Sequence, residues 1–328
     1  MQISHSKTKF RKLTKLFRRD KVPPLGRGFP VPGLNEEAAR AGAGHKNMAG
    51  RADRSALPLD DYPEATETED RQFVTALARG LSVLRAFQPG DGVLGNGDIA
   101  ERTGLPKPTV SRLTHTLTRL GYLVHAERLG KYRLGPGVLS LGYSLLANMD
   151  IRKIARPYLQ ELANASGLSL ALGSRDRLNM VYLEHARDAG SVTLRLDIGS
   201  HIPIATTAMG RAFLAAIPDN ERAYLMTAMA ERAGPAWPSM AKGIERAVRQ
   251  VAAQGFCTSF GEWQHDVNAV GVPVRSLDGA TVMALNCGGP AFLHKPEKLE
   301  AEWGPRLVNV ARTIEAEMQN GFAAQGTW

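Results

Sequence analysis

The chain has 328 residues, 43% hydrophobic and 22% charged, with a net charge of +9. That length allows two domains on a prior of roughly 100–200 residues each, and the composition is ordinary for a globular protein. No run reaches the ~18 apolar residues of a membrane span, and the basic N-terminus lacks the apolar stretch of a secretory signal. Two cysteines, Cys257 and Cys287, are too few for a disulfide framework, and a reducing cytoplasm is the expected compartment.

Residues 1–70 are rich in Gly, Pro and charge and are expected to be a disordered extension. Within them, 7–21 places Phe10, Leu13 and Phe17 at helical spacing among basic side chains. That stretch reads either as an arm for an anionic surface or as unstructured chain ahead of an alternative start at Met48. Order is expected from Phe73. Val74, Leu77, Leu81, Leu84 and Phe87 recur as on an amphipathic helix, a short helix closes at Gly104, and a third runs over 107–120 with Pro108 in its first turn. Gly121 ends it, and 122–135 reads as two short strands turning at Leu129-Gly130. These elements define a small domain over 71–134, which carries ten basic against four acidic residues, whereas 135–328 is neutral.

A linker helix is expected over 135–150 and a second helix from Ile151. From 168 onward, strands (168–174, 179–186, 191–198, 255–260, 268–276, 281–289) alternate with helices (206–217, 219–230, 243–255). Asp278-Gly279 marks a hairpin, and a last helix runs from about 296 to 320. The expected fold is α/β: an N-terminal winged helix-turn-helix and a C-terminal α/β domain over 151–322 with a mostly antiparallel sheet, then a short tail over 323–328.

Three helices and a two-stranded wing within about 65 residues fit the winged helix-turn-helix. Val110, Leu113, Leu117 and Leu120 share one face of the third helix, which leaves Lys107, Thr109, Ser111, Arg112 and His115 on the outer side. Arg and Lys there can meet guanine, and hydroxyls can meet base edges or phosphates. Lys131 and Arg133 alternate with Tyr132 in the wing. The competing reading is a three-helix bundle with a solvated basic face. Further on, Thr206-Thr207 precedes the helix AMGRAFLAA. A threonine cap leaves the amides of Ala208 and Met209 to receive an anion, or does no more than cap.

ALARGLSVLRAF, IAERTGLPKPTVSRL and LTRLGYLVHAERLGKYRLGPGVLSLG together resemble the IclR family of bacterial transcriptional regulators. IRKIARPYLQELANASG, GSHIPIATTAMGRAFLA and GATVMALNCGGPAF extend the resemblance over about residues 72–322. It implies a transcriptional regulator that binds a double-stranded DNA operator as a homodimer or tetramer, in the cytoplasm and nucleoid-associated when on DNA. It also implies that the C-terminal region is a GAF-like α/β effector-binding domain with a small-molecule effector, and position by position the effector pocket falls on Leu194, Thr207, Ala208, Ser259, Val267, Ala269, Asn286 and Gly288. This chain departs from the common pattern at Ala205 (often His), Arg211 (often Lys) and Asn286 (often Ser). An organic or aromatic acid is the expected effector. No catalytic residue, cofactor, metal site or membrane partner is expected, because neither a Cys–His pair at motif spacing nor a phosphate-binding glycine loop is present. A ligand-independent DNA-binding protein is the next alternative; the neutral C-terminal region argues against it.

Overall fold

The computed structural model describes residues 72–188, 196–276 and 282–325, with side chains followed to residue 319. The expected N-terminal extension, most of the strand expected at 191–198, the Asp278-Gly279 hairpin and Leu194 lie outside the described residues.

Three helices, α1 (Thr75–Arg85), α2 (Asn96–Thr103) and α3 (Lys107–Arg119), precede an antiparallel pair, β1 (Leu123–Ala126) and β2 (Lys131–Leu134). They close on a small core of Val83, Ala86, Leu94, Ile99, Val110, Leu117 and Leu123. Full burial of aliphatic side chains of this kind stabilises by about 1.5–3 kcal/mol each. A bridge between Leu94 and Tyr132 ties the α1–α2 connection to the wing. Two details differ from the sequence pattern. On α1, Val83 and Ala86 are buried while Val74, Leu77 and Leu81 face outward. Of the apolar stripe read from spacing, Leu84 and Phe87 pack against this core, while its N-terminal part does not. On α3, Thr114 is buried and Leu120 is exposed, because Leu120 falls at the C-cap, where the chain leaves the helix through Gly121.

α4 (Pro136–Ala147) follows at once, and none of its residues is buried although it is rich in Leu. α5 (Asp150–Ser166) comes next and continues through Pro157. The sheet then consists of β3 (Ser169–Asp176), β4 (Asn179–Ala186) and β5 (His201–Pro203), and, after α6 (Ala208–Ala216), α7 (Asp219–Ala233) and α8 (Trp237–Gln254), of β6 (Cys257–Phe260), β7 (Val267–Arg275) and β8 (Val282–Pro290). Its strand order is β5-β4-β3-β8-β7-β6, and every neighbouring pair is antiparallel. A short turn, α9 (Pro296–Lys298), and a wide turn over Leu299–Trp303 lead into the terminal helix α10 (Gly304–Gln325). α5 and α10 cover one face around Leu159, Leu172, Val272, Leu285 and Leu307. α6, α7 and α8 build the other with Met209, Phe213, Leu225 and Ile244. Enclosed by helices on both sides, β7 is buried along eight of its nine residues, which explains its nearly unbroken apolar run. α8 begins six residues before the GIERAV motif. Trp237 and Pro238 open it, and a proline in the first turn forfeits no helical hydrogen bond.

Candidate functional site

The first candidate surface is the outer side of α3 with the wing. Gly104, at φ 68°, closes α2 in the left-handed region that only glycine enters cheaply, so the chain can turn at once into α3. Arg102 fastens α2 to the end of α1. Its guanidinium donates to the Ala86 carbonyl at 2.8 Å and pairs with Asp91, whose carboxyl it holds below the usual range. Inside the turn, the Thr114 hydroxyl donates to the Val110 carbonyl at 3.0 Å and lies 3.2 Å from the Asn96 amide oxygen. Lys107, Ser111, Arg112 and His115 are exposed along the first turns of α3, and Thr109 is half-buried. In the wing, Arg133 is exposed, while the half-buried Lys131 sets its ammonium 3.7 Å from Asp98. Asp98 also accepts the Gly95 amide at the start of α2, and that hydrogen bond chiefly lowers its carboxyl. Lys131 is thus partly engaged within the protein, whereas Arg133 makes no ion pair among the described residues.

The second candidate is a narrow cavity between the start of α6 and the sheet. Its floor is legible in the strand register. Ser259, Ala269, Gly288 and Ser169 stand side by side across β6, β7, β8 and β3, four small residues that keep the sheet low. α6 descends onto this floor. Gly271 passes so near that a Cβ there would meet the Ala208 carbonyl at 2.2 Å. The Thr207 hydroxyl accepts from the Gly210 amide at 3.2 Å and donates to the Pro203 carbonyl at 2.6 Å. This cap leaves the amides of Ala208 and Met209 with no acceptor inside the helix, at its positive end. Thr207, Ala208, Ser259, Val267, Ala269, Asn286 and Gly288 all line the cavity. The Ser259 hydroxyl is committed to the Thr206 carbonyl at 2.7 Å.

Three rings that motif reasoning did not single out complete the walls: Tyr182, His185 and Trp263. A bulge brings in the first two. Leu172 pairs with Glu184 and Gly173 with Tyr182, so Leu183 is an extra residue in β4. The alternation slips there, and both Tyr182 and His185 turn to the cavity, their rings stacked at 6.1 Å. Burial pushes the Tyr182 phenol up to about 12 and lowers the His185 imidazole. The Asn286 amide donates to the Tyr182 hydroxyl at 3.2 Å, and its own carbonyl oxygen is buried without a partner. Trp263 sits on the β6–β7 loop beside Glu262. That carboxylate reaches the guanidinium of Arg211 at 2.9 Å and also pairs with Arg246. Arg211 is 1% exposed and also donates to the Ala205 carbonyl at 2.9 Å. Gly243 makes room for it, since a Cβ there would lie 2.2 Å from the guanidinium. A period-two reading of β4 could not have found Tyr182 and His185 together, because only the pairing with β3 exposes the bulge.

Cys257 and Cys287 are buried, and burial pushes the Cys257 thiol up to about 12 and that of Cys287 further in the same direction. His265 is exposed on its loop. Among the described residues, no three His, Cys, Asp or Glu side chains are grouped to hold a metal ion, and no helix is long and apolar enough to cross a membrane.

Comparison with known proteins agrees with this geometry. The family described as the bacterial transcriptional regulator IclR C-terminal domain matches residues 143–316, and the IclR helix-turn-helix domain matches 76–127. The HTH-type transcriptional regulator TsaQ1/TsaQ2 of Comamonas testosteroni is 34% identical over 259 residues, covering 78% of this chain and 93% of its own length. A crystal structure of an IclR family transcriptional regulator from Brucella abortus is 49% identical, covers 79% of this chain and 98% of its own, and superimposes with a TM-score of 0.72. An IclR homolog from Microbacterium hydrocarbonoxydans, complexed with 4-hydroxybenzoate, shares the fold at 21% identity and a TM-score of 0.61, covering 75% of this chain and all of its own. The chain belongs to the IclR family of bacterial transcriptional regulators.

Proposed function

We propose that this protein binds a double-stranded DNA operator through α3 and the wing, and that a small anionic effector in the α6 cavity modulates that binding. The observation that carries the DNA half is the free outer side of α3. Lys107, Arg112 and His115 make no ion pair among the described residues, so their donors are available to base edges and phosphates. Lys131, Arg133, Thr109 and Ser111 complete the surface. Lys131 changes partner from Asp98 to a phosphate.

The effector half rests on the cavity. Its capped helix start and the His185 ring suit a carboxylate, and the aromatic walls suit a planar ring. The unpartnered Asn286 oxygen suits a donor such as a hydroxyl. An aromatic acid meets all three conditions, and a protein of the same fold holds 4-hydroxybenzoate. The pocket residues are Thr207, Ala208, Ser259, Val267, Ala269, Asn286 and Gly288, with Leu194 assigned to it by resemblance. The protein acts as a regulator, not an enzyme.

The apolar side chains of Val74, Leu77 and Leu81 beside and on α1 and of Leu139, Leu141, Tyr143 and Leu145 around α4, exposed among the described residues, fit a second copy of the chain. A dimer also supplies the two recognition helices that a palindromic site requires.

The test is fluorescence anisotropy of a labelled duplex from the gene's own upstream region, titrated with the full chain with and without 4-hydroxybenzoate. The proposal expects specific binding that weakens steeply with salt and changes with ligand. Equal affinity for any duplex at every ligand concentration contradicts it.

A further inference from the structure

The bulge that turns His185 into the cavity points its neighbour the other way. Glu184 pairs with Leu172, a residue of the core between the sheet and α5. There it is 3% exposed and meets Arg152 of α5 at 3.0 Å, while its other oxygen accepts the His185 amide at 3.2 Å. A carboxylate this deep costs several kcal/mol to desolvate, the half-buried guanidinium adds to that, and a pair of well-packed apolar side chains would serve stability as well. The pair is also incompletely satisfied, for the Arg152 Nε is buried with no acceptor.

What the Arg152 Nη1 does gives the arrangement a direction. Its Nη1 reaches out of the domain to the carbonyl of Leu146, one residue before the end of α4, at 3.2 Å. α4 is fastened at its other end too. Gly135 donates to the Tyr122 carbonyl at 2.7 Å and Gly137 to the Gly121 carbonyl at 3.3 Å. A Cβ at residue 135 would collide with the Gly121 carbonyl at 2.4 Å. Between these attachments the helix has no buried residue. It is a strut of about 18 Å at 1.5 Å per residue, held at one end by the DNA-reading domain and at the other by Arg152.

We propose that the Glu184–Arg152 pair is a coupling joint that passes the state of the cavity, felt at His185, to the carbonyl end of α4 and so to the DNA-reading domain. This rests on the proposed function for its biological meaning, though not for its geometry. Glu184 and Arg152 are positioning residues here, since neither lines the cavity nor touches DNA. A ligand that moves the His185 ring moves the backbone amide that Glu184 accepts. Among the described residues the Arg152 Nη2 pairs with the Glu184 carboxylate, so the guanidinium follows, and with it the grip on Leu146.

The joint is tested without knowing the effector. Hydrogen exchange of the full-length, ligand-free protein is followed by mass spectrometry in four forms: unaltered, His185→Trp, Glu184→Gln, and both together. The Trp side chain fills part of the cavity in place of a ligand. The joint predicts that His185→Trp changes exchange of the 143–149 segment by about tenfold, which converts to about 1.4 kcal/mol of local opening, and that this change disappears when residue 184 is Gln. A general loss of stability would alter both backgrounds alike. If His185→Trp fails to fold, His185→Ala gives the opposite change in cavity filling. If Glu184→Gln fails, Arg152→Met removes both donors. No change at 143–149, or the same change in both backgrounds, overturns the joint. If the joint holds while DNA affinity never responds to 4-hydroxybenzoate or other aromatic acids, the regulatory reading fails and the joint does not.

Discussion

α3 and α6 make an instructive pair, since each begins at a short connection and each aims its first turn at a proposed partner. α3 buries only Val110, Thr114 and Leu117 and presents long polar side chains. α6 buries seven of its nine residues and offers backbone amides behind a threonine cap. The contrast follows from the size and charge of what each would hold. A duplex is wide and polyanionic, so recognition needs side chains that extend and charge that attracts at a distance. A small acid fits inside the domain, where two fixed amides and a few rings supply the contacts with no long side chain to order.

If α6 depends on fixed surroundings, breaking them should be costly, and this sets the largest expected effect. Glu262→Ala leaves the guanidinium of Arg211 buried with only carbonyl partners. It should destabilise the C-terminal domain by about 3 kcal/mol, the low end for an orphaned buried charge, read as a shift in the urea midpoint. An unchanged midpoint would show that the carbonyls of Ala205 and Thr258, the latter 3.5 Å from the Arg211 Nη1, suffice. Gly271→Ala comes next. Its methyl group has to displace the start of α6, and overpacking of this kind costs about 1–3 kcal/mol. A melting curve like that of the parent protein would mean that α6 shifts freely, against the fixed-amide account.

On the α3 side, the effects should fall on binding and spare folding. Arg112→Ala should weaken operator binding by about 1–3 kcal/mol if it meets a base, with an unchanged melting temperature. An equal loss on random duplex would assign Arg112 to phosphate. Thr207→Val brings the two sides together. Loss of the cap costs about 1 kcal/mol and should blunt the response to 4-hydroxybenzoate while leaving ligand-free DNA affinity intact. A full response would remove the α6 start from the pocket.

The smallest expected effect is acid sensitivity. Burial lowers His185 and His294 below the ordinary imidazole value, so the unfolded chain binds protons more readily than the folded one. The stability they contribute is complete above about pH 6.5 and declines as the pH falls from there toward the folded values. Asp91 and Asp176 are lowered by Arg102 and His201 respectively, and add a second loss beneath the ordinary carboxylate range. Denaturant midpoints at pH 8 and pH 5 check the first window. No decline, or a rise at pH 5, contradicts it.

The same contrast explains what could be read in the sequence. The helix-turn-helix is local. Gly104, Leu105 and the spacing of Val110 and Leu117 lie within a few turns of one another, so periodicity finds the elements and the outward residues. The cavity is assembled from strands up to about 120 residues apart. Motif resemblance reached Thr207, Ser259, Ala269, Asn286 and Gly288, because each sits in a recognisable stretch. Tyr182 and His185 depend on a bulge visible only against β3, and Trp263 on a loop held by distant arginines. The outward turn of Leu77 and Leu81 was hidden for a related reason. Spacing shows that a stripe exists but not which partner covers it. The start of α8 at Trp237 was obscured by GPAWP, whose glycine and prolines mark a loop as readily as a helix start.

The most direct test of the central claim is the affinity of the full chain for its upstream duplex, measured by anisotropy across a salt series with and without saturating 4-hydroxybenzoate. The account predicts sequence-preferring binding, a steep fall with salt, and an affinity that shifts when the acid is present. Binding that neither distinguishes this duplex from random DNA nor changes with any aromatic acid would contradict it.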